Sequence, residues 1–192
     1  MDSPDGLQVM TFVDAARLAA WLDEHHAGSP GVWVRLARKG SGVASVTSAE
    51  VNDAALCYGW ITGHRKAYDD VFYLQKITPR RARSLWSQVN VDRVAELTAE
   101  GRMKEAGLAE VAAARADGRW EAAYASQRTA TVPEDLAAAL AAAPEARKTF
   151  EALSKSDRYA VLHSLMTART PATRAARLER TVTKLAEGER AP

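Results

Sequence analysis

The chain has 192 residues, of which 47% are hydrophobic and 26% are charged, a composition that excludes wholesale disorder and favours a globular protein. Its net charge of +2 is too small to require a polyanionic partner, and its single cysteine, Cys57, excludes an internal disulfide. The amino terminus lacks the basic start and apolar run of a signal peptide, and no apolar run is long enough to span a bilayer. We therefore expect a cytoplasmic protein with no membrane partner.

The first part of the chain alternates helical and strand patterns. Apolar residues recur at helical spacing over residues 14–26, and residues 32–37 then alternate with a period of two, which predicts a strand. Thr47 and Glu50 have the spacing of a capping box, and they predict a second helix that Gly59 ends.

A hairpin and two further helices are predicted next. Strand patterns at 60–68 and 71–77 meet at Asp69-Asp70, and Pro79 ends the second strand. Residues 80–88 show no clear period and predict an ordered loop. Helical patterns follow at 90–101 and 107–117.

The last third of the chain has helical patterns alone. Thr131 with Glu134 predicts a capped helix, Pro144 restarts the chain, Ser156 is predicted to cap a third helix, and Pro171 opens the last. The predicted fold class is α+β: a small antiparallel or mixed sheet flanked by helices over residues 1–128, followed by an all-helical part over residues 129–192.

Residues that could support covalent or metal chemistry are sparse. Cys57 is predicted at a helix C-terminus, where the helix dipole opposes thiolate formation, so a small buried core residue is the favoured interpretation. An acid/base pair of His64 with Asp69 or Asp70 remains an alternative that would make the protein an enzyme of unspecified reaction. Metal-ligand spacings and phosphate-loop or dinucleotide fingerprints are absent from the sequence, so no metal and no cofactor is predicted.

Arginine and aromatic residues concentrate between Cys57 and Asn90, and this density predicts a binding site for a small molecule or peptide. Guanidinium groups match carboxylate and phosphate groups, and flat aromatic rings suit planar ligands. An ordinary core edge with salt-bridged arginines would give the same pattern. The candidate ligand-binding residues are Trp33, Tyr58, Trp60, Arg80, Arg81, Arg83, Trp86, Ser87 and Asn90.

The last predicted helix carries a basic face, formed by Arg174, Arg177, Arg180 and Lys184. Such a face is usually solvated. Nucleic-acid binding would need this face and the Arg80 cluster on one side of the molecule, so a nucleic-acid partner is not expected but stays open as a third hypothesis.

Four runs of sequence resemble the YdeI/OmpD-associated family, also called bacteriocin-protection proteins. They are Ala54–Gly63, Thr78–Asn90, Glu100–Leu108 and Phe150–Gly188, and the resemblance that they mark extends over most of the chain. The most specific parts are Gly-Trp-Ile at 59–61, Pro-Arg-x-x-x-Ser-x-Trp-Ser-x-x-Asn at 79–90, and Thr-Arg-x-x-Arg at 173–177. Members of the family commonly have Asp where this chain has Thr62.

The resemblance implies a role in bacteriocin protection, resistance to cationic antimicrobial peptides and stress tolerance, and it implies no reaction. It also places a domain typical of the family at residues 129–192. Together with the arginine and aromatic density, it leads us to expect a cytoplasmic resistance-associated protein that binds a small molecule or peptide.

Overall fold

The computed structural model describes residues 5–189, which form four strands and eight helices. In chain order they are β1 (Val9–Thr11), α1 (Ala15–His25), β2 (Val32–Ala37), α2 (Ser48–Cys57), β3 (Trp60–Ala67), β4 (Phe72–Pro79), α3 (Gln88–Ala99), α4 (Glu105–Ala116), α5 (Glu134–Ala142), α6 (Pro144–Ala152), α7 (Lys155–Met166) and α8 (Pro171–Ala186). The predicted α+β class is confirmed, with a mixed sheet near the amino terminus and helices alone over residues 134–186.

The sheet has the strand order β1-β2-β4-β3, in which β1 is parallel to β2 and the other pairs are antiparallel. The predicted hairpin is β3–β4. One sheet face carries Val34 and Ile77, both fully buried. Trp60 lies on the same face, and its ring meets Trp21 of α1 edge-on at 6.0 Å. Helices α1 and α2 therefore cover this face, as the alternation along β2 requires.

The capping box predicted for α2 is confirmed. Thr47 Oγ1 accepts the Glu50 amide, and the Glu50 carboxylate accepts the Thr47 amide at 2.7 Å. Gly59 follows the helix with φ of +72°, and a Cβ there would lie 2.9 Å from the carbonyl oxygen of Ala106. Both the backbone conformation and the close approach of α4 therefore favour glycine at this position.

Two predicted helix caps are wrong. Helix α5 has Pro133 as its N-cap and has no side-chain cap bond. A helix capped by Thr131 would need Val132 in helical conformation, and that conformation is disfavoured for a residue that precedes proline. Helix α7 is capped by Ser154 instead of Ser156. Ser154 Oγ accepts the Asp157 amide at 3.1 Å and donates to that residue's carboxylate, a reciprocal pair that fixes the helix start two residues earlier.

The described chain divides into two compact units. The first comprises the described residues up to Ser84 together with Asn90–Glu121, and the second comprises Leu85–Val89 with the described residues from Ala122 onward. The second unit has its own apolar core, formed by the buried residues Leu136, Leu140, Ala146, Phe150, Val161, Leu162, Leu165 and Leu185. Among residues 5–189, no helix is long and apolar enough to cross a bilayer.

Candidate functional site

Two tryptophans of the predicted binding site are part of the sheet. Trp33 of β2 is 1% exposed, its Nε1 donates to Asp5 at 2.8 Å, and the ammonium groups of Lys66 and Lys76 lie 5.5 and 5.7 Å from its ring. Trp60 begins β3, is also 1% exposed, and donates from Nε1 to the backbone carbonyl of His26. Their rings pack inside the first unit.

The three predicted arginines follow β4. Arg80 is buried, and its amide donates to the Gly59 carbonyl at 3.1 Å, which brings Arg80 beside the start of β3. Arg81 and Arg83 are exposed, and the Arg81 amide donates to Ser84 Oγ.

The remaining predicted residues are divided between the two units. Trp86 and Ser87 belong to the second unit, where the Trp86 carbonyl accepts the Tyr124 amide at 3.0 Å. Asn90 belongs to the first unit, and its Oδ1 accepts from Asn52 Nδ2 at 3.3 Å. Thr62, which replaces the Asp of the resembling family, donates to Asn52 Oδ1 and so extends this polar chain. A single pocket made by all nine predicted residues stays a prediction.

Tyr58 lies where two adjoining hollows of the first unit meet, with volumes of about 440 and 520 Å³. Asp23, Tyr58 and Lys104 line both hollows, which we call the Tyr58 cleft. Its other polar lining residues are His26, Glu50, Arg102 and Glu105, and its apolar lining consists mainly of alanines from α1, α2 and α4. The volume of the cleft lies in the range of small-ligand sites, and its lining combines alanine methyl groups with charged side chains of both signs.

The phenol of Tyr58 is held by a carboxylate. Its hydroxyl donates to Asp23 Oδ1 at 2.8 Å, while the ring of His26 lies 5.4 Å and the Lys104 ammonium 5.9 Å from the Tyr58 ring. Burial raises the pKa of the Tyr58 phenol, and the hydrogen bond to Asp23 raises it further. Tyr58 therefore remains a protonated donor and not a base at physiological pH.

Close packing of α4 against α2 positions the basic side of the cleft. The Lys104 amide, at the N-cap of α4, donates to the Cys57 carbonyl at 3.1 Å. Gly107 makes this approach feasible, because a Cβ at that position would lie 2.3 Å from the same oxygen. The glycine thus permits the close approach of α4 to the end of α2, where Tyr58 lies.

A charge network orients Arg102. Asp53 is 9% exposed and accepts two hydrogen bonds from Arg93, at 2.8 and 2.6 Å. Arg102 Nη1 lies 3.5 Å from Asp53 and donates to Glu100 at 2.9 Å. The forked pair of Arg93 with Asp53 fixes the Asp53 carboxylate, and Arg102 lines the cleft beside that carboxylate.

Cys57 also lines the cleft, but it is a buried residue at the end of α2, as predicted. Burial raises the pKa of its thiol, which disfavours the nucleophilic thiolate. Of the alternative acid/base residues, His64 is exposed on β3, and Asp69 accepts the amides of Val71 and Phe72 in the hairpin turn. An enzymatic role for these residues stays a prediction.

The prediction that the basic face of α8 is solvated is wrong for Arg174 and Arg177. Arg174 makes two hydrogen bonds to Asp135 of α5, at 2.7 and 2.9 Å, and a third to the Leu165 carbonyl. Arg177 donates to the Ser164 carbonyl at 2.6 Å. The last carbonyls of α7 lack helical partners, so these cations satisfy them and are structural.

Sequence reasoning missed Asp23, Arg102 and Lys104. Asp23 has no local signal, because it differs in no way from other exposed acids of an amphipathic helix. Arg102 and Lys104 lie in the run Glu100–Leu108, which carries part of the family resemblance, so that run was the signal available in the sequence.

A family model described as Domain of unknown function (DUF8412) matches residues 10–110, more than half of the chain and all of the Tyr58 cleft. The chain belongs to this family. A second model, described as Bacteriocin-protection, YdeI or OmpD-Associated, matches residues 129–188 and confirms the resemblance over that part. Neither a curated protein nor a solved structure matches the chain.

Proposed function

We propose that the protein binds a small molecule or short peptide in the Tyr58 cleft and acts in the cytoplasm in antimicrobial resistance or stress tolerance. The observation that carries the binding proposal is the Tyr58–Asp23 hydrogen bond at the junction of two ligand-sized hollows. The bacteriocin-protection match over residues 129–188 supports the biological role.

The charges of the cleft favour a ligand that carries both signs. Asp23 and Glu105 are exposed carboxylates, and Arg102 and Lys104 are exposed cations, within one alanine-lined surface. A ligand ammonium would pair with the Asp23 side, while a ligand carboxylate would pair with Lys104 and Arg102. The ring of Tyr58 offers an apolar contact between the two charges. A short peptide with free termini has this chemistry.

The charged groups of the lining disfavour a purely apolar ligand. Transfer of such a molecule into the cleft would desolvate Asp23 and Lys104 without giving them new partners, which is unfavourable. The alanine side chains also leave room for backbone atoms of a peptide to approach α1 and α2, since a methyl group is the smallest side chain after glycine.

Isothermal titration calorimetry with a panel of dipeptides and tripeptides tests this proposal. We expect saturable binding of peptides with both termini free, and a loss of about tenfold in affinity when either terminus is blocked, corresponding to one charge-assisted hydrogen bond. Asp23→Asn and Lys104→Gln should each weaken binding similarly. Glu24→Gln, on the same helix as Asp23 but away from the cleft lining, is the matched control.

Two results would contradict the proposal. One is the absence of saturable binding across the panel at millimolar concentration with folded protein. The other is equal affinity of the Asp23→Asn and Glu24→Gln variants, which would place the binding outside the Tyr58 cleft.

A further inference from the structure

A second cavity of the first unit is built by the connection between β2 and α2. It has a volume of about 550 Å³, and its wall consists of residues 37–43 and 45–48 together with Tyr73 of β4. Gly40 and Gly42 have φ of +86° and +73°, conformations that favour glycine, and they turn the chain around the cavity. We call it the Gly40 cavity. It shares no lining residue with the Tyr58 cleft.

Cationic side chains and hydroxyls dominate this wall. Arg38 and Lys39 are exposed and line the cavity, and the described lining residues include no aspartate or glutamate. Ser41 and Ser45 supply hydroxyl groups beside them. The cavity is therefore a concentration of positive charge in a protein whose net charge is only +2.

A third cation is fixed at the edge of the cavity. Arg65 of β3 donates from Nη2 to Ser48 Oγ, and its guanidinium lies 5.7 Å from the centre of the Tyr73 ring. Its Nε donates at 2.6 Å to Gln75, which is 2% exposed. The buried amide and the aromatic ring hold this guanidinium beside two lining residues, so little rotamer entropy remains to be lost on binding an anion.

Two of the neighbouring carboxylates, Glu50 and Asp69, have other partners. Glu50 accepts the amide and the hydroxyl of Thr47, at 2.7 and 2.8 Å, and closes the first turn of α2. Asp69 accepts the amides of Val71 and Phe72 in the hairpin turn. Ser45 Oγ accepts the Ala37 amide at 2.8 Å and donates to the Val46 carbonyl at 3.1 Å. Because α2 is capped by its own side chains, the anion-binding capacity of the cavity lies in Arg38, Lys39, Arg65 and the Ser41 hydroxyl.

We propose that the Gly40 cavity binds the phosphate group of a small anionic molecule. Three cations exceed the two negative charges of a phosphate monoester dianion, and the Ser41 hydroxyl can donate to one of its remaining oxygens. The volume exceeds that of a phosphate group alone, so the cavity has room for the rest of a sugar phosphate or nucleotide. Arg38 reaches the hairpin as well, through its bond to the Asp69 carbonyl at 3.2 Å, and is thereby held beside the cavity.

Calorimetric titration of the full chain with inorganic phosphate and with ribose 5-phosphate, at constant ionic strength set by chloride, tests the proposal. We expect saturable binding of both, with ribose 5-phosphate tighter. Lys39→Gln and Arg65→Gln should each lower the affinity about tenfold, the effect of losing one charge-assisted hydrogen bond. Lys148→Gln, an exposed lysine of the second unit, removes the same charge elsewhere and should leave the affinity unchanged.

Phosphate binding at the Gly40 cavity and peptide binding at the Tyr58 cleft can be tested separately. Asp23→Asn should leave phosphate binding intact, so failure of one site leaves the other standing. Arg65→Gln could disturb β3, and for this reason Lys39→Gln, on an exposed turn, is the decisive variant. Phosphate binding that is non-saturable, that survives Lys39→Gln, or that falls equally with Lys148→Gln would overturn the proposal.

Discussion

The substitution Gly107→Ala would put a methyl group where α4 meets α2, and its effect can be worked out from three distances. The new Cβ would lie 2.3 Å from the Cys57 carbonyl oxygen and 2.8 Å from both the Cys57 carbonyl carbon and the Leu56 oxygen. All three are backbone atoms, so no side-chain rotation relieves the overlap. Ordinary contact would require α4 to move by about 1 Å, and the Lys104–Cys57 hydrogen bond would be strained.

The magnitude follows from two opposing terms. Alanine in place of glycine inside a helix stabilises by about 1 kcal/mol through propensity alone. Overpacking typically destabilises by about 1–3 kcal/mol, and a backbone overlap belongs at the upper end or beyond. We therefore expect Gly107→Ala to lower the free energy of unfolding by about 2 kcal/mol, which corresponds to a fall in Tm of about 4–8 °C for a chain of this length.

Urea and thermal unfolding followed by circular dichroism at 222 nm measure this effect. Gly28→Ala is the matched control, because its φ is ordinary and no heavy atom lies within 4 Å of its Cβ position, so its stability should change by less than about 0.5 kcal/mol. Ala112→Gly, at an exposed position of α4, calibrates the propensity term at about 1 kcal/mol. A Gly107→Ala protein as stable as the wild type, or more stable, would refute the packing argument.

Three further predictions concern charges and the thiol. Arg174→Gln should lower the free energy of unfolding by roughly 1–2 kcal/mol in urea titrations, because it removes the bonds to Asp135 and to the Leu165 carbonyl. Arg180→Gln is the control and should change stability little, since Arg180 bonds only to a carbonyl of its own helix. Equal effects of the two substitutions would contradict the structural role of Arg174. The hydrogen bonds from Arg174 lower the pKa of Asp135, so this ion pair stabilises the fold above about pH 4 and ceases to do so as the pH falls through the lowered pKa. The Tm difference between wild type and Arg174→Gln should therefore shrink below pH 4. A difference that is independent of pH would argue against this pairing. Since burial raises the pKa of Cys57, an aromatic disulfide reagent at pH 7.5 should label the native protein at least about 100-fold more slowly than the urea-unfolded protein, and comparable rates would show an exposed thiol.

Local patterns predicted most of the elements because each depends on neighbours in the chain. The spacing of Thr47 and Glu50 predicted the start of α2, and the strand patterns before and after Asp69 predicted the hairpin β3–β4. The predicted caps of α5 and α7 were wrong because two nearby residues could serve as the cap in each helix. The conformational limit before Pro133 decided the start of α5, and the reciprocal bond between Ser154 and Asp157 decided the start of α7.

The Tyr58 cleft was not predictable in the same way. Asp23 and Tyr58 are separated by 34 intervening residues, and their hydrogen bond exists because α1 and α2 cover the same face of the sheet. Arg174 was predicted to be solvated for the same reason, since its partner Asp135 lies on another helix.

The amino-acid sequence by itself determined the α+β class, the hairpin, the ends of several helices and the core role of Cys57, because these follow from periodicity, capping and dipole effects within a few residues. Only the tertiary structure decided which polar and charged groups meet: the Tyr58–Asp23 pair, the guanidinium of Arg65 beside the Gly40 cavity, and the arginines that bind the last carbonyls of α7. Ion pairs and clefts depend on the relative placement of whole elements, and that placement is set by packing of surfaces that are distant in sequence.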